Sequence, residues 1–156
     1  MGKYDDIFNT KDTAKETLAP EESVAALAMV AAFADIESSD VQTEAFATIL
    51  SRIEFFDSYD EDDLAEIIDK ILGIFDQKGI GALYNTAMKY LSEDLPETAF
   101  AAAIAMIIVD GEIPDEKNEF VSKLQEALDI SNQEAAEIIE DILENLEESM
   151  AEYEEA

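Results

Sequence analysis

Two sets of four carboxylates recur in this chain at one spacing. ADIESSDVQTE and VDGEIPDEKNE share acids at positions 1, 3, 6 and 10 counted from the first Asp. They are Asp35, Glu37, Asp40 and Glu44, and then Asp110, Glu112, Asp115 and Glu119. Such all-oxygen sets select hard cations, Ca²⁺ or Mg²⁺ first and Mn²⁺ next. Carboxylates held at one corner repel each other, which raises some of their pKa values or demands a counter-cation. No Lys or Arg occurs within residues 35–44, and the second set contains only Lys117. The spacing differs from that of an EF-hand, whose ligands fall at 1, 3, 5, 7, 9 and 12 with glycine at 6. The competing explanation is structural, because acids at helix N-termini satisfy free N–H groups and offset the macrodipole. Asp40 and Asp115 fit that explanation equally well.

Other chemistries are closed off by composition. The 156 residues include no Cys and no His. Disulfides, Zn–thiolate sites, redox thiols, His general acid–base catalysis and the usual serine triad are therefore excluded. No dinucleotide fingerprint is present, so no redox cofactor is expected. With 39 acidic against 9 basic residues the formal net charge is −30. Nucleic acid and anionic membrane surfaces are repelled by such a chain, whereas metal cations and basic proteins are attracted. The first residues, MGKYDDIFNTKDTAKETLAPEE, contain no apolar signal core, which gives a cytoplasmic protein as the expectation. The apolar runs VAALAMVAAFA (24–34) and FAAAIAMIIV (100–109) are shorter than the roughly 20 residues of a membrane span, so no transmembrane segment is expected.

The elements that must position the quartets are helices. Five Gly and three Pro leave little turn material for a many-stranded β protein, and AEIIDKIL and AEIIEDIL carry the helical period. The chain reads as a duplicated unit. A shift of 75 superposes the two quartets, and a shift of 71 superposes AEIIDKIL (65–72) on AEIIEDIL (136–143). The expected fold is all-α, a compact bundle of about seven helices from a duplicated helical unit with pseudo-twofold symmetry. Residues 1–20 form an N-terminal extension with a short helix near 4–17, ahead of a single domain at 21–156. Copy one covers about 21–75, a connecting helix about 80–93 and copy two about 96–149.

Several boundaries are legible. Pro20 and Glu21 open the first core helix, which runs to about Ala34, and Pro96 opens its counterpart. Ser39 with Gln42, and Ser131 with Glu134, have capping-box spacing. Asp60 caps the helix carrying Leu64, Ile67, Ile68, Ile71, Leu72 and Phe75, and the acids of DSYDEDD (57–63) decorate its positive end. The second quartet's helix is expected to begin at Pro114 or Asp115. Each alanine-rich helix is apolar nearly all round, which places the pair together at the centre. Each quartet then spans a helix–loop–helix corner, with Glu44 and Glu119 four residues beyond Asp40 and Asp115 on the same helix face.

A buried alanine-rich helix followed by (A/V)-D-G-E-(I/V), with a further acid some residues on, resembles the TerB family of tellurite-resistance proteins. The likeness covers roughly residues 21–149 and both copies. It implies a duplicated all-helical domain with metal-binding acids at the corners. It also implies a role in bacterial responses to tellurite and other chemical stress, with partner proteins at the inner face of the membrane. The motif lands on Asp110, Gly111, Glu112 and Glu119, and on Asp35, Glu37 and Glu44. Ile36 stands where the motif has glycine, which makes the first corner the weaker one.

The leading expectation is thus a non-enzymatic, divalent-cation-binding interaction module of the TerB-like kind. A metal-independent acidic adaptor for basic partner proteins is the alternative. A carboxylate-based, metal-assisted hydrolase is more remote, since it needs a cleft with a separated acid and base or a cation-activated water.

Overall fold

The computed structural model describes residue 7 and residues 13–33, 43–53, 56, 58–108, 113 and 115–155, of which 43–45, 116 and 145–155 contribute backbone only. Seven α-helices follow one another among the described residues, which include no strand. They are α1 (Pro20–Phe33), α2 (Thr43–Arg52), α3 (Glu61–Lys78), α4 (Ile80–Tyr90), α5 (Pro96–Ile107), α6 (Asn118–Ala127) and α7 (Asn132–Glu155). A short 3-10 turn, Asp115–Lys117, precedes α6.

α1 is the centre of the core. Every residue from Val24 to Ala31 is fully buried, as is Phe33. Its most extensive packing is against α5, as the two alanine-rich sequences require, and its next is against α4. Alanines at the crossing let the two backbones approach closely, and the larger Leu27, Met29, Phe100 and Ile104 fill the space around them. Each such large side chain taken fully out of water contributes about 1.5–3 kcal/mol. α3 and α2 close one side of α1, and α6 and α7 lie against α5.

The helix ends follow from local chemistry. Pro96 occupies the first turn of α5, where the missing N–H costs nothing. At the start of α3 the Asp63 N–H donates to Asp60 Oδ1 at 2.8 Å, and the Asp60 N–H reaches back to Asp63 Oδ2 at 3.4 Å. Asp60 therefore caps as expected, with Asp63 completing the box. Gly79 has φ 94°, a backbone conformation closed to most L-residues. Its N–H caps α3 by donating to the Phe75 carbonyl at 2.9 Å, and its own carbonyl accepts from Leu83 N–H at 3.2 Å. One glycine ends α3 and begins α4. That second helix stops at Tyr90, three residues short of the expected 93.

The N-terminal residues are tied to the bundle. Ile7 is helical and buried, and Leu18 is buried. The Ala14 N–H donates to Thr86 Oγ1 at 2.8 Å. Lys70 Nζ donates to the Thr17 carbonyl at 2.7 Å and to Glu22 Oε1 at 2.9 Å, and the same Glu22 oxygen accepts the Ala19 N–H at 2.7 Å.

Candidate cation-binding corners

The first corner joins α1 to α2. Its two ends are held by aromatic packing. Phe33, the last residue of α1, lies 6.0 Å from Phe46 of α2 and 5.8 Å from Phe75 of α3, centroid to centroid. Such tilted and edge-on pairs add about 0.5–1.5 kcal/mol each beyond the area they bury. Phe46 and Leu50 are buried, and Ile53 is partly buried. Asp35, Glu37 and Asp40, together with Ser39, Val41 and Gln42, lie outside the described residues. Glu44 is the second residue of α2, with only its backbone described.

The second corner joins α5 to α6. Phe120, Val121 and Leu124 bury the inner face of α6, and Ile113 is partly buried against the core. Asp110 and Glu112 lie outside the described residues, as do Gly111 and Pro114. Asp115 opens the 3-10 turn and Glu119 is the second residue of α6, and both side chains are exposed. The α-helix therefore starts at Asn118, later than the expected Pro114 or Asp115. A tight 3-10 turn often precedes an α-helix, and a proline at the entry suits either. The N-cap position of α6 belongs to Lys117, whose side chain makes no capping hydrogen bond. Asp115 is thus not the N-cap of α6. Among the described residues, no three carboxylates converge on a common point in a way that could hold a metal ion.

A different acidic contact was not legible in the sequence. Glu97, in the first turn of α5, shares a side-chain hydrogen bond with Glu134 in the first turn of α7. That bond, followed by the negative charge of Glu134, by slight desolvation and by the charge of Glu137, holds the Glu97 carboxyl above the usual glutamate range. Ser131 still caps α7 by accepting the Glu134 N–H at 3.1 Å. Each glutamate stands at an ordinary place near a helix start. Only the packing of α5 on α7 brings them together, and no local pattern announces that.

Between α6 and α7 lies an open depression of about 350 Å³ lined by Ser122, Gln125, Glu126, Asp129, Ile130 and Asn132. Asp129 takes φ 57°, a left-handed conformation that Asp tolerates better than most residues. Gln125 Nε2 staples the turn by donating to the Ile130 carbonyl at 3.1 Å and to Asn132 Oδ1 at 2.7 Å. Gln125, Ile130 and Asn132 are thereby engaged in forming the turn. No helix among the described residues is long and apolar enough to cross a membrane.

Comparison with protein-family models, with characterised proteins and with solved structures yields no match.

Proposed function

We propose that this chain is a non-enzymatic interaction module of the TerB-like kind, in which two equivalent acidic corners take up divalent cations. The observation that carries this is a coincidence of register. The shift of 75 that superposes the two carboxylate quartets also superposes α2 (Thr43–Arg52) on α6 (Asn118–Ala127), end to end. The shift of 71 that superposes the AEII motifs superposes Glu61, the first residue of α3, on Asn132, the first of α7. The pairs α1–α3 and α1–α2 have counterparts in α5–α7 and α5–α6. These correspondences support a duplicated unit, and they put Glu44 and Glu119 at the same place in their helices. Two quartets in one sequence register beside corresponding helices are better explained by a ligand than by scattered helix capping.

A role in bacterial tellurite or chemical stress follows from the resemblance alone. If it holds, it works through cations and partners, because the chain has no thiol to reduce a tellurium oxyanion and its charge of −30 repels one. A cation-binding module is tested by thermal melting under Ca²⁺, Mg²⁺ or Mn²⁺ titration. At one hundred times its Kd a bound ion adds about 2.7 kcal/mol. The Asp110→Asn, Glu119→Gln double variant is expected to lose that gain. A melting curve that moves no more with divalent salt than with matched NaCl rejects the proposal.

A second reading is favoured by a separate observation. The outer face of α7 carries exposed acids at Glu134, Glu137, Glu140, Asp141 and Glu144, and no Lys or Arg follows Lys123. Such a face suits a metal-independent adaptor for basic proteins. Its capture of partners is expected to survive chelator and to fail at high salt.

A further inference from the structure

The last helix is amphipathic, yet its apolar side is incompletely covered. Ala135 is buried, and Ile138, Ile139 and Ile142 pack against the core while keeping part of their surface exposed, whereas Leu143 is partly exposed without joining the core and Ala136 is exposed. At 100° per residue the apolar positions 135, 138, 139, 142 and 143 fill one arc, and the acids 134, 137, 140, 141 and 144 fill the other. Ala135 marks the centre of the arc that faces α5. Ala136 and Leu143 lie at the margin that turns away from it, next to Ile139, which packs partly against the core, and Glu140 and Glu144 run alongside. The helix is 24 residues long against 12 for α5, so α5 alone is too short to cover it.

The charge of this margin selects its occupant. A second copy would lay one Glu140–Glu144 row near another, with no basic residue anywhere in α7 to neutralise them. An anionic lipid surface is repelled for the same reason. A helix with apolar residues at matching spacing and Lys or Arg along its flanks satisfies both halves of the surface. We propose that the Ala136–Ile139–Leu143 margin of α7, with its Glu140–Glu144 border, docks a basic amphipathic helix of another protein. This deepens the adaptor reading by giving the partner a structural class and a location, and it is independent of cation binding at the corners.

The test uses the full chain and a fluorescein-labelled leucine–lysine peptide of about 18 residues designed as an amphipathic helix, with a scrambled peptide of identical composition, read by anisotropy at about 0.15 M NaCl. The amphipathic peptide is expected to bind at least about tenfold more tightly than the scrambled one. Glu140→Lys with Glu144→Lys, and separately Leu143→Ser, are each expected to weaken binding at least about tenfold. Glu66→Lys with Asp69→Lys, an equal charge change at exposed positions of α3, is expected to leave it within about twofold. Both charge-reversal pairs lie at exposed positions, so they report on binding even where Leu143→Ser compromises folding. Equal losses from the α3 and α7 pairs overturn the docking site and leave a diffuse acidic adaptor standing. Equal affinity for the two peptides overturns the helix-specific partner. Saturable binding of neither peptide removes the adaptor reading as well. A concentration-dependent dimer in sedimentation that Leu143→Ser abolishes assigns the margin to a second copy and overturns the proposal.

Discussion

Thr86 Oγ1, fully buried in α4, accepts the backbone N–H of Ala14 at 2.8 Å and donates to the Ala82 carbonyl at 2.8 Å. One hydroxyl joins two segments 72 residues apart in sequence. Helix interiors usually gain nothing from Thr, whose hydroxyl tends to bond back to the carbonyl one turn earlier. Here that same hydroxyl keeps an acceptor lone pair for the N-terminal segment.

Replacing Thr86 by Val keeps the shape and removes the acceptor. The Ala14 N–H is then left without its partner, which costs about 1–3 kcal/mol when a donor is buried and the lower end here, since Ala14 is only partly buried. In a chain of this size each kcal/mol lowers Tm by about 2–4 °C. Thr86→Ser, which retains the hydroxyl, is expected to lose less. Hydrogen exchange supplies a second check, with faster exchange at the Ala14 amide in the Val variant. Unchanged exchange there would show that the contact does not hold the segment.

Two glycines six residues apart in sequence are expected to respond to alanine with opposite signs. Gly73 lies inside α3, where a Cβ meets nothing within 4 Å, and Gly73→Ala is expected to stabilise by about 0.5–1 kcal/mol through backbone entropy. Gly79 also has room for a Cβ, but its φ of 94° and ψ of 169° fall in a region essentially reserved for glycine. Gly79→Ala is expected to destabilise by about 1–3 kcal/mol. Urea melts of both variants measure the difference, and equal effects would remove backbone strain as the reason for Gly79.

The Glu97–Glu134 contact gives a pH dependence of definite sign. Glu97 has its folded-state pKa raised above the unfolded value, so the folded protein holds the proton more tightly. The contribution is fully present below the ordinary glutamate pKa and is lost as pH rises through the raised one. Once Glu97 has lost its proton, the charge of Glu134 opposes it. Glu97→Gln keeps a hydrogen-bond donor toward Glu134 and removes one charge. At pH above the raised pKa this variant is expected to raise Tm slightly, and to flatten the change in Tm across that pKa. A variant as pH-sensitive as the parent would place the dependence elsewhere in the acidic surface.

Residues whose chemistry is local were readable in advance. Pro20 and Pro96 open their helices and Asp60 caps α3, because each acts through its own backbone or its neighbour three residues on. The central pairing of α1 with α5 was readable too, since helices so uniformly apolar have to bury every side. Long-range polar contacts were not. Thr86 has no sequence sign marking Ala14 as its partner, and Glu134 looked like one half of a capping box with Ser131 before Glu97 engaged it. At the candidate corners the spacing of the acids and the helices that flank them were legible. Spacing along a loop leaves side-chain direction open, so it does not tell whether the oxygens converge. Asp115, expected to start the helix, instead opens a 3-10 turn with its carboxylate exposed.

Whether cations occupy the corners is decided most directly by anomalous scattering from crystals soaked in Mn²⁺. The prediction is a peak coordinated by oxygens of Asp110, Glu112, Asp115 and Glu119, with a weaker one at Asp35, Glu37, Asp40 and Glu44, where Ile36 replaces glycine. Oxygens spread into solvent or bonded to backbone amides, with no peak at either corner, would contradict it.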